Sequence, residues 1–249
     1  MGIKPLGKFG EHVRQYEKAR RPYPSEVFRS LKSQIKVKKP FILDLGCGTG
    51  ISSRQLAKYG RVIGCDPDPT MIRHAKKHKR PLIRYVLSSA HKLPFPAKTF
   101  DVVTAFSAFH WFDDRKSLEE IKRVLKPEGL FFIASRTGSR NWGDGYRNAI
   151  IRSIKRQVAQ FAKTPSYNPK KTLKTSGFKK VQSFSWKKFE LYTFNNALEY
   201  VQSVSIWNSV PKGLRPKALE GVKEHFKKVL KKRGEIRRNL VANVVFGVT

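Results

Sequence analysis

Short apolar runs alternate with amphipathic stretches through the first two thirds of this chain. Runs at 41–46, 61–66, 83–87, 101–105 and 130–135 are rich in Val, Ile, Leu and Phe, bounded by turn residues, and read as strands. Between them the apolar spacing turns helical. One helix is predicted over 50–59. A second starts at Asp68, a residue type suited to an N-cap. A third is predicted over 113–125; acids lie early in it and Lys122, Arg123 and Lys126 late, matching its dipole. Lys126-Pro-Glu-Gly129 stops it. Residues 11–35 read as helix interrupted by Pro22 and Pro24, 145–163 as a further helix, and 195–233 as mostly helix broken at Pro211 and Pro216. Strands at 181–187 and 240–248 complete the pattern.

Strands alternating with helices predict a doubly wound α/β fold, here a seven-stranded, mostly parallel sheet covered on both faces, with a small helical cap. The expected organisation is an N-terminal helical lid over 1–40 and one main domain over 41–249, the cap being inserted at about 195–233. The chain has 249 residues, enough for one such domain. No apolar stretch approaches the ~20 residues of a membrane span, and the first residues lack an apolar signal core. Two cysteines, Cys47 and Cys65, make no disulfide framework and fit a reducing, cytoplasmic setting.

Charge changes the picture. Lys and Arg number 52 against 18 Asp and Glu, a net +34. Such an excess favours anionic partners: a small anionic substrate, nucleic acid or an acidic carrier protein. Between Arg140 and Glu190 the only acids are Asp144 and Glu190 themselves, and the stretch from Lys212 to Arg238 is similarly basic. Lysines are nevertheless spread nearly everywhere, so a lineage-wide lysine bias or adaptation to unusual ionic conditions is an equally good account.

The densest chemical signal is Phe-Ile-Leu-Asp-Leu-Gly-Cys-Gly-Thr-Gly over 41–50. A buried strand runs into Asp44 and then into Gly46, Gly48 and Gly50. Glycines at alternate positions suit a turn that needs positive φ or close approach to a ligand, and the helix beyond it opens with unpaired amides. A dinucleotide fingerprint would need a small residue at position 51, and Ile51 is not small. Asp66 follows at the end of the second strand, where an acid can accept both hydroxyls of a ribose. Asp44, Asp66 and Asp68 are thereby expected at the carboxyl ends of adjacent strands.

The glycine turn with its preceding aspartate resembles the first motif of class I S-adenosylmethionine-dependent methyltransferases, which have a Rossmann-like fold. Leu87-Ser-Ser-Ala-His-Lys-Leu-Pro-Phe95 resembles the family's adenine-contacting segment, with Ser89 where that family carries an aspartate. Leu125-Lys-Pro-Glu-Gly129 resembles its Leu-Lys-Pro-Gly-Gly, with Glu128 replacing the first glycine. Phe100 to Asp114, with His110-Trp111, and the lead-in Tyr16 followed by Arg20-Arg-Pro-Tyr-Pro24 resemble a small-molecule subgroup near the trans-aconitate methyltransferases. The resemblance implies S-adenosylmethionine as cofactor, held by Asp44, Gly46, Cys47, Gly48, Gly50, Asp66, Pro67, Met71, Ser89, Ala90 and Phe106. It implies Tyr16, Arg20, Arg21 and Trp111 as substrate-side residues and His110 as the catalytic candidate, acting as a base or an orienting group. A hydrogen-bonded structural histidine is the alternative for His110.

Methyl transfer from a sulfonium needs positioning more than acid–base work, and a carboxylate acceptor needs no base. The expected reaction is therefore methylation of a carboxylate oxygen on a small anion. RNA-directed methylation and non-catalytic cofactor binding are the competing readings. No Asn/Asp-Pro-Pro-aromatic motif and no Pro-Cys pair is present, which disfavours two kinds of base methylation. His74 and His78 lie four apart on a predicted helix, but intervening lysines and the lack of a third ligand nearby favour a solvated face, so no metal is expected.

Overall fold

The computed structural model describes Val13, Glu17 and residues 19–138, 140–154 and 167–249. Tyr16, and the expected helix beyond residue 154, lie outside the described residues. The chain runs through α1 (Ser25–Gln34), β1 (Phe41–Leu45), α2 (Ile51–Leu56), β2 (Arg61–Asp66), α3 (Pro69–Ala75), β3 (Ile83–Leu87), β4 (Phe100–Phe106), α4 (Arg115–Val124) and β5 (Leu125–Gly138). It continues through α5 (Arg140–Ser153), α6 (Pro169–Thr175), β6 (Lys179–Tyr192), α7 (Phe194–Gln202), α8 (Ser205–Asn208), α9 (Arg215–Arg233) and β7 (Ile236–Val248).

One seven-stranded sheet has the order β3-β2-β1-β4-β5-β7-β6. The first five strands are parallel, and β7 runs antiparallel to both neighbours. The order reverses beside β1, so the carboxyl ends of β1 and β4 border a crevice, where open α/β sheets bind ligands.

Side chains alternate between the two faces. From β1 and β4, Ile42, Val102 and Phe106 join one core with Val27, Phe28 and Leu31 of α1. Leu43, Leu45, Val103 and Ala105 join the other, with Leu118, Ile121 and Val124 of α4. The period of two fixes which face each residue can reach. A third cluster forms away from the cofactor turn: Ile150 of α5, Ala197 and Val201 of α7, and Val222 and Phe226 of α9.

Several boundaries differ from the sequence expectation for identifiable reasons. Asp114, not Asp113, caps α4, accepting the Ser117 N–H at 3.0 Å. The expected helix interrupted at Pro22 and Pro24 is observed as such: Val13, Glu17 and Ala19 are helical, residues 20–24 are not, and α1 begins after Pro24, whose φ of −58° and ψ of 148° are extended. Pro216 does not break the cap; it lies in the first turn of α9, where its missing N–H costs nothing. The last two strands are longer than expected, because β6 and β7 pair with each other from Tyr192↔Ile236 to Lys179↔Val248. Lysines and arginines on their solvent face hide the strand pattern, while also blunting an exposed sheet edge.

Glu128 has a φ of 60°. The glycine-rich turn it replaces is therefore a left-handed position, which costs an L-residue about 1–2 kcal/mol. Its ion pair with Lys180, at 3.9 Å and largely exposed, returns little. Glu128→Gly is expected to raise the melting temperature by about 2–4 °C, as for a gain near 1 kcal/mol in a domain of this size. Calorimetry showing no rise would mean that the turn relaxes without glycine.

Candidate functional site

The turn after β1 carries three left-handed residues, Gly46 (φ 64°), Gly48 (φ 54°) and Gly50 (φ 80°). Two have no room for a side chain: a Cβ on Gly46 would lie 2.5 Å from that of Ala108, and one on Gly50 would lie 2.2 Å from the Tyr85 hydroxyl. The turn's amides are largely used within the protein. Cys47 donates to the Cys65 carbonyl, Gly50 to the Cys47 carbonyl, and Gly48 to Asp66 Oδ2, each at 2.9 Å. The glycines thus serve close approach and backbone shape more than amide donation.

Beyond the turn lies an open cleft bordered by Gly46, Cys47, Thr49, Ile51, Ser52, Phe106 and Ser107, together with Arg20, Tyr23 and Arg136. Tyr23 hydrogen-bonds Ser107, itself at a φ of 54°, and packs edge-on against Phe106 at 4.9 Å. The Thr49 hydroxyl is buried in the cleft wall with no hydrogen-bond partner among the described residues. A buried hydroxyl without a partner is costly unless a ligand or water completes it.

Asp66 sits at the mouth of β2. Its Oδ2 accepts from Gly48 and its Oδ1 from the Asp68 amide at 2.9 Å. Each carboxylate oxygen has a second lone pair for a ligand hydroxyl. Burial pushes Asp66 up to about 6, against the pull of those two amides. Asp68 is the N-cap of α3, accepting from Thr70 and Met71. Pro67 lies between the two acids, and Met71 is buried on the inner face of α3.

Asp44 does not border the cleft. Its register partner is Thr104 of β4, and both point to the face that carries Ile42 and Val102. The buried carboxylate accepts from Ser52 and Ser53 at 2.7 Å and from Thr104 at 2.9 Å. It fastens β1 to β4 and to the start of α2. Desolvation raises its pKa, and the three hydroxyls oppose that rise.

The remaining expected residues scatter. Ser89 pairs with His91 Nδ1 at 3.0 Å, and His91 Nε2 with Asp114 at 2.7 Å; Ala90 is buried beside them. Arg20 borders the cleft, its Nη2 3.4 Å from the Ser203 carbonyl. Arg21 instead donates to the Leu191 carbonyl at 2.7 Å and covers the Tyr192 ring. His110 and Trp111 follow β4 in a single 3-10 turn. They pack on one another at 4.9 Å, with Tyr167 6.0 Å from His110, and neither borders the cleft. Both free cysteines are buried, and burial pushes Cys65 up to about 12.

Arg136 and Tyr23 are cleft residues that the sequence reading did not select. A signal for Arg136 was present: a lone cation directly after the apolar run of β5, at a carboxyl strand end. Glu17 is a second omission. It approaches His74 and His78, supplying the third ligand-type residue that the sequence reading lacked.

Residues 43–133 match a family described as "Methyltransferase domain". A candidate methyltransferase of Dictyostelium discoideum is 34% identical over 129 residues, covering 51% of this chain and 48% of that protein. The chain spans about half the length of the curated relatives it matches. Among solved structures, a candidate type II methyltransferase from Anaeromyxobacter dehalogenans superposes with a TM-score of 0.69 at 21% identity, covering 92% of this chain and 97% of that one. A phosphoethanolamine N-methyltransferase from Haemonchus contortus, solved with phosphomonomethylethanolamine and S-adenosylhomocysteine, superposes with a TM-score of 0.56 at 19% identity, covering 96% and 57%. These structural likenesses show the Rossmann-like fold.

The residues present fit S-adenosylmethionine as the cofactor of the domain. The side-chain-free turn, the incomplete Thr49 hydroxyl and the carboxylate of Asp66 offer, in that order, close approach, a polar contact and a ribose acceptor. Among the described residues, no helix is long and apolar enough to cross a membrane.

Proposed function

We propose that this chain transfers a methyl group from S-adenosylmethionine to a carboxylate oxygen of a small anionic substrate. The observation that carries this reading is a pair of arginines, Arg20 and Arg136, that border the same cleft as Gly46 and Cys47 of the glycine turn. Arg238 lies behind them over the Tyr200 ring, which Arg20 also approaches. Glu190 stands close to Arg238, at 3.2 Å, and to Arg136, at 3.7 Å. Among the described residues, Glu190 thus serves Arg136 and Arg238 together. Arginine forks match a carboxylate in two-point contact, which orients one oxygen toward the turn.

The cofactor supplies an already electrophilic methyl carbon. The protein's share is positioning and exclusion of water. Tyr23 and Phe106 form an apolar wall beside the turn, and the arginines hold the acceptor. A carboxylate acceptor arrives deprotonated and needs no base, which agrees with a cleft border that, among the described residues, carries neither His110 nor an acid. His110 then packs away from the cleft border, on Trp111 and Tyr167.

Incubation with methyl-labelled cofactor and a pool of small carboxylic acids tests the reading. Label is expected in a methyl ester and released by mild alkali as methanol. Label that survives alkali would point to nitrogen or carbon acceptors and overturn the carboxylate assignment.

One observation favours the RNA-directed reading. The outer strand β6 presents Lys179, Lys180 and Lys187 together with Phe184 and Phe189, which are 46% and 55% exposed. Lysines and exposed rings on one strand suit phosphates and unstacked bases. Under that reading, tRNA binding falls steeply as salt rises and RNA takes up label. Weak binding equal to that of any polyanion identifies a merely basic surface.

A further inference from the structure

We propose that Glu17, His74 and His78 form a site for one divalent transition-metal ion of the zinc type, fastening the N-terminal segment to α3 beside the cofactor turn. His74 is in the last turn of α3 and His78 in the turn that closes it, where the Lys77 amide donates to the His74 carbonyl. The four-residue spacing places both imidazoles on one side, with ring centroids 5.7 Å apart. Glu17 enters from a segment 57 residues earlier and presents Oε2 to both rings: it contacts His74 Nε2 directly and lies 3.2 Å from His78 Nε2. One ligand atom from each residue falls within 4.8 Å of the others. Zinc, with bonds of about 2.0–2.1 Å in tetrahedral geometry, holds its ligand atoms roughly 3.3 Å apart. The donors therefore need only small movements to close on an ion.

The surroundings are those of an oriented ligand set. Arg54 Nη2 holds the other oxygen, Glu17 Oε1, at 2.7 Å, while its Nη1 donates to the Thr49 carbonyl of the glycine turn at 2.8 Å. Hydrogen bonding from behind is how ligating carboxylates are fixed. The same arginine links the proposed site to the cleft. His78 is 42% exposed and gives an entry path, whereas His74 and Glu17 are 12% and 20% exposed. Two imidazoles and one carboxylate with an open position favour zinc or cobalt over magnesium or calcium, which prefer all-oxygen shells. The N-terminal segment beyond Glu17 delivers Arg20 and Tyr23 to the cleft, so a bound ion would set where they stand.

The test is titration of the full, tag-free chain, stripped with chelator, with zinc alone at pH 7.5. Calorimetry is expected to show one zinc per chain. His78→Ala and Glu17→Gln are each expected to weaken binding tenfold or more, with His225→Ala unchanged. His78 is exposed enough for its alanine variant to fold. Zinc is also expected to raise the melting temperature of the wild type and not of His78→Ala, and cobalt to give the visible absorption of a four-coordinate site. Absence of stoichiometric binding, or equal binding by wild type and His78→Ala, overturns the proposal. Neither readout depends on methyl transfer, so the proposal stands or falls apart from the catalytic reading.

Discussion

Asp44→Ala is expected to destabilise the fold by about 2–4 kcal/mol, because three buried hydroxyls lose their common acceptor and each unsatisfied group costs about 1–3 kcal/mol. The spread allows for hydroxyl rotation and for removal of a desolvated carboxylate. In a domain of this length the loss corresponds to roughly 5–15 °C in melting temperature. Of the three donors, Ser52 also borders the cleft, so the change is expected to loosen that part of its wall as well. Asp44→Asn keeps one acceptor oxygen and should lose less. The sign with pH follows from burial. A carboxyl whose folded pKa is raised contributes most below its unfolded value, and that contribution fades as pH rises through the folded pKa. The gap between wild type and Asp44→Asn is therefore expected to be widest in acid and to narrow toward alkaline pH. Thermal scans across pH in which Asp44→Ala melts with the wild type would show that the hydroxyls find other partners.

Asp44 also illustrates what was legible in the amino-acid order. That an acid ends the first apolar run is plain, and so is its association with the glycine turn. Its side is a matter of strand register: pairing with Thr104 places both on an inner face, and register across a parallel sheet is set by nonlocal packing that no local pattern carries. The five parallel strands were readable because they are buried on both sides and hence continuously apolar. β6 and β7 were readable only in part, because basic residues interrupt their alternation. The departure at Glu128 was visible as a residue substitution, and the positive φ now explains why glycine belongs there. Arg136 and Glu17 were missed for a common reason. Each acts through a partner far away in the chain, Arg136 through the Arg21 carbonyl at 2.8 Å and Glu17 through Arg54, His74 and His78.

Asp66→Ala is expected to weaken S-adenosylhomocysteine binding by about 1.5–3 kcal/mol, the worth of hydrogen bonds to a charged acceptor, or roughly 10–150-fold in Kd. The two amides that now hold the carboxylate belong to Gly48 and Asp68, which are only half-buried, so water can replace it and the fold should survive. The pH dependence isolates the charge. Burial raises Asp66 to about 6 in the free protein, and a ribose diol donating two hydrogen bonds favours the ionised form, lowering that value in the complex. Affinity should then be level above pH 6 and fall toward tenfold per unit below it. Asp66→Asn keeps the shape and removes the titration, so its weaker binding should be flat over the same range. Calorimetry at pH 5, 6 and 7.5 decides the matter. If wild type and Asp66→Asn lose affinity in parallel as the solution is acidified, the carboxylate is not the ribose acceptor, and its bonds to Gly48 and Asp68 are its whole purpose. If only the wild type responds, the acid at the mouth of β2 takes part in cofactor recognition, and the left-handed glycine turn beside it is the surface against which the adenosyl group lies.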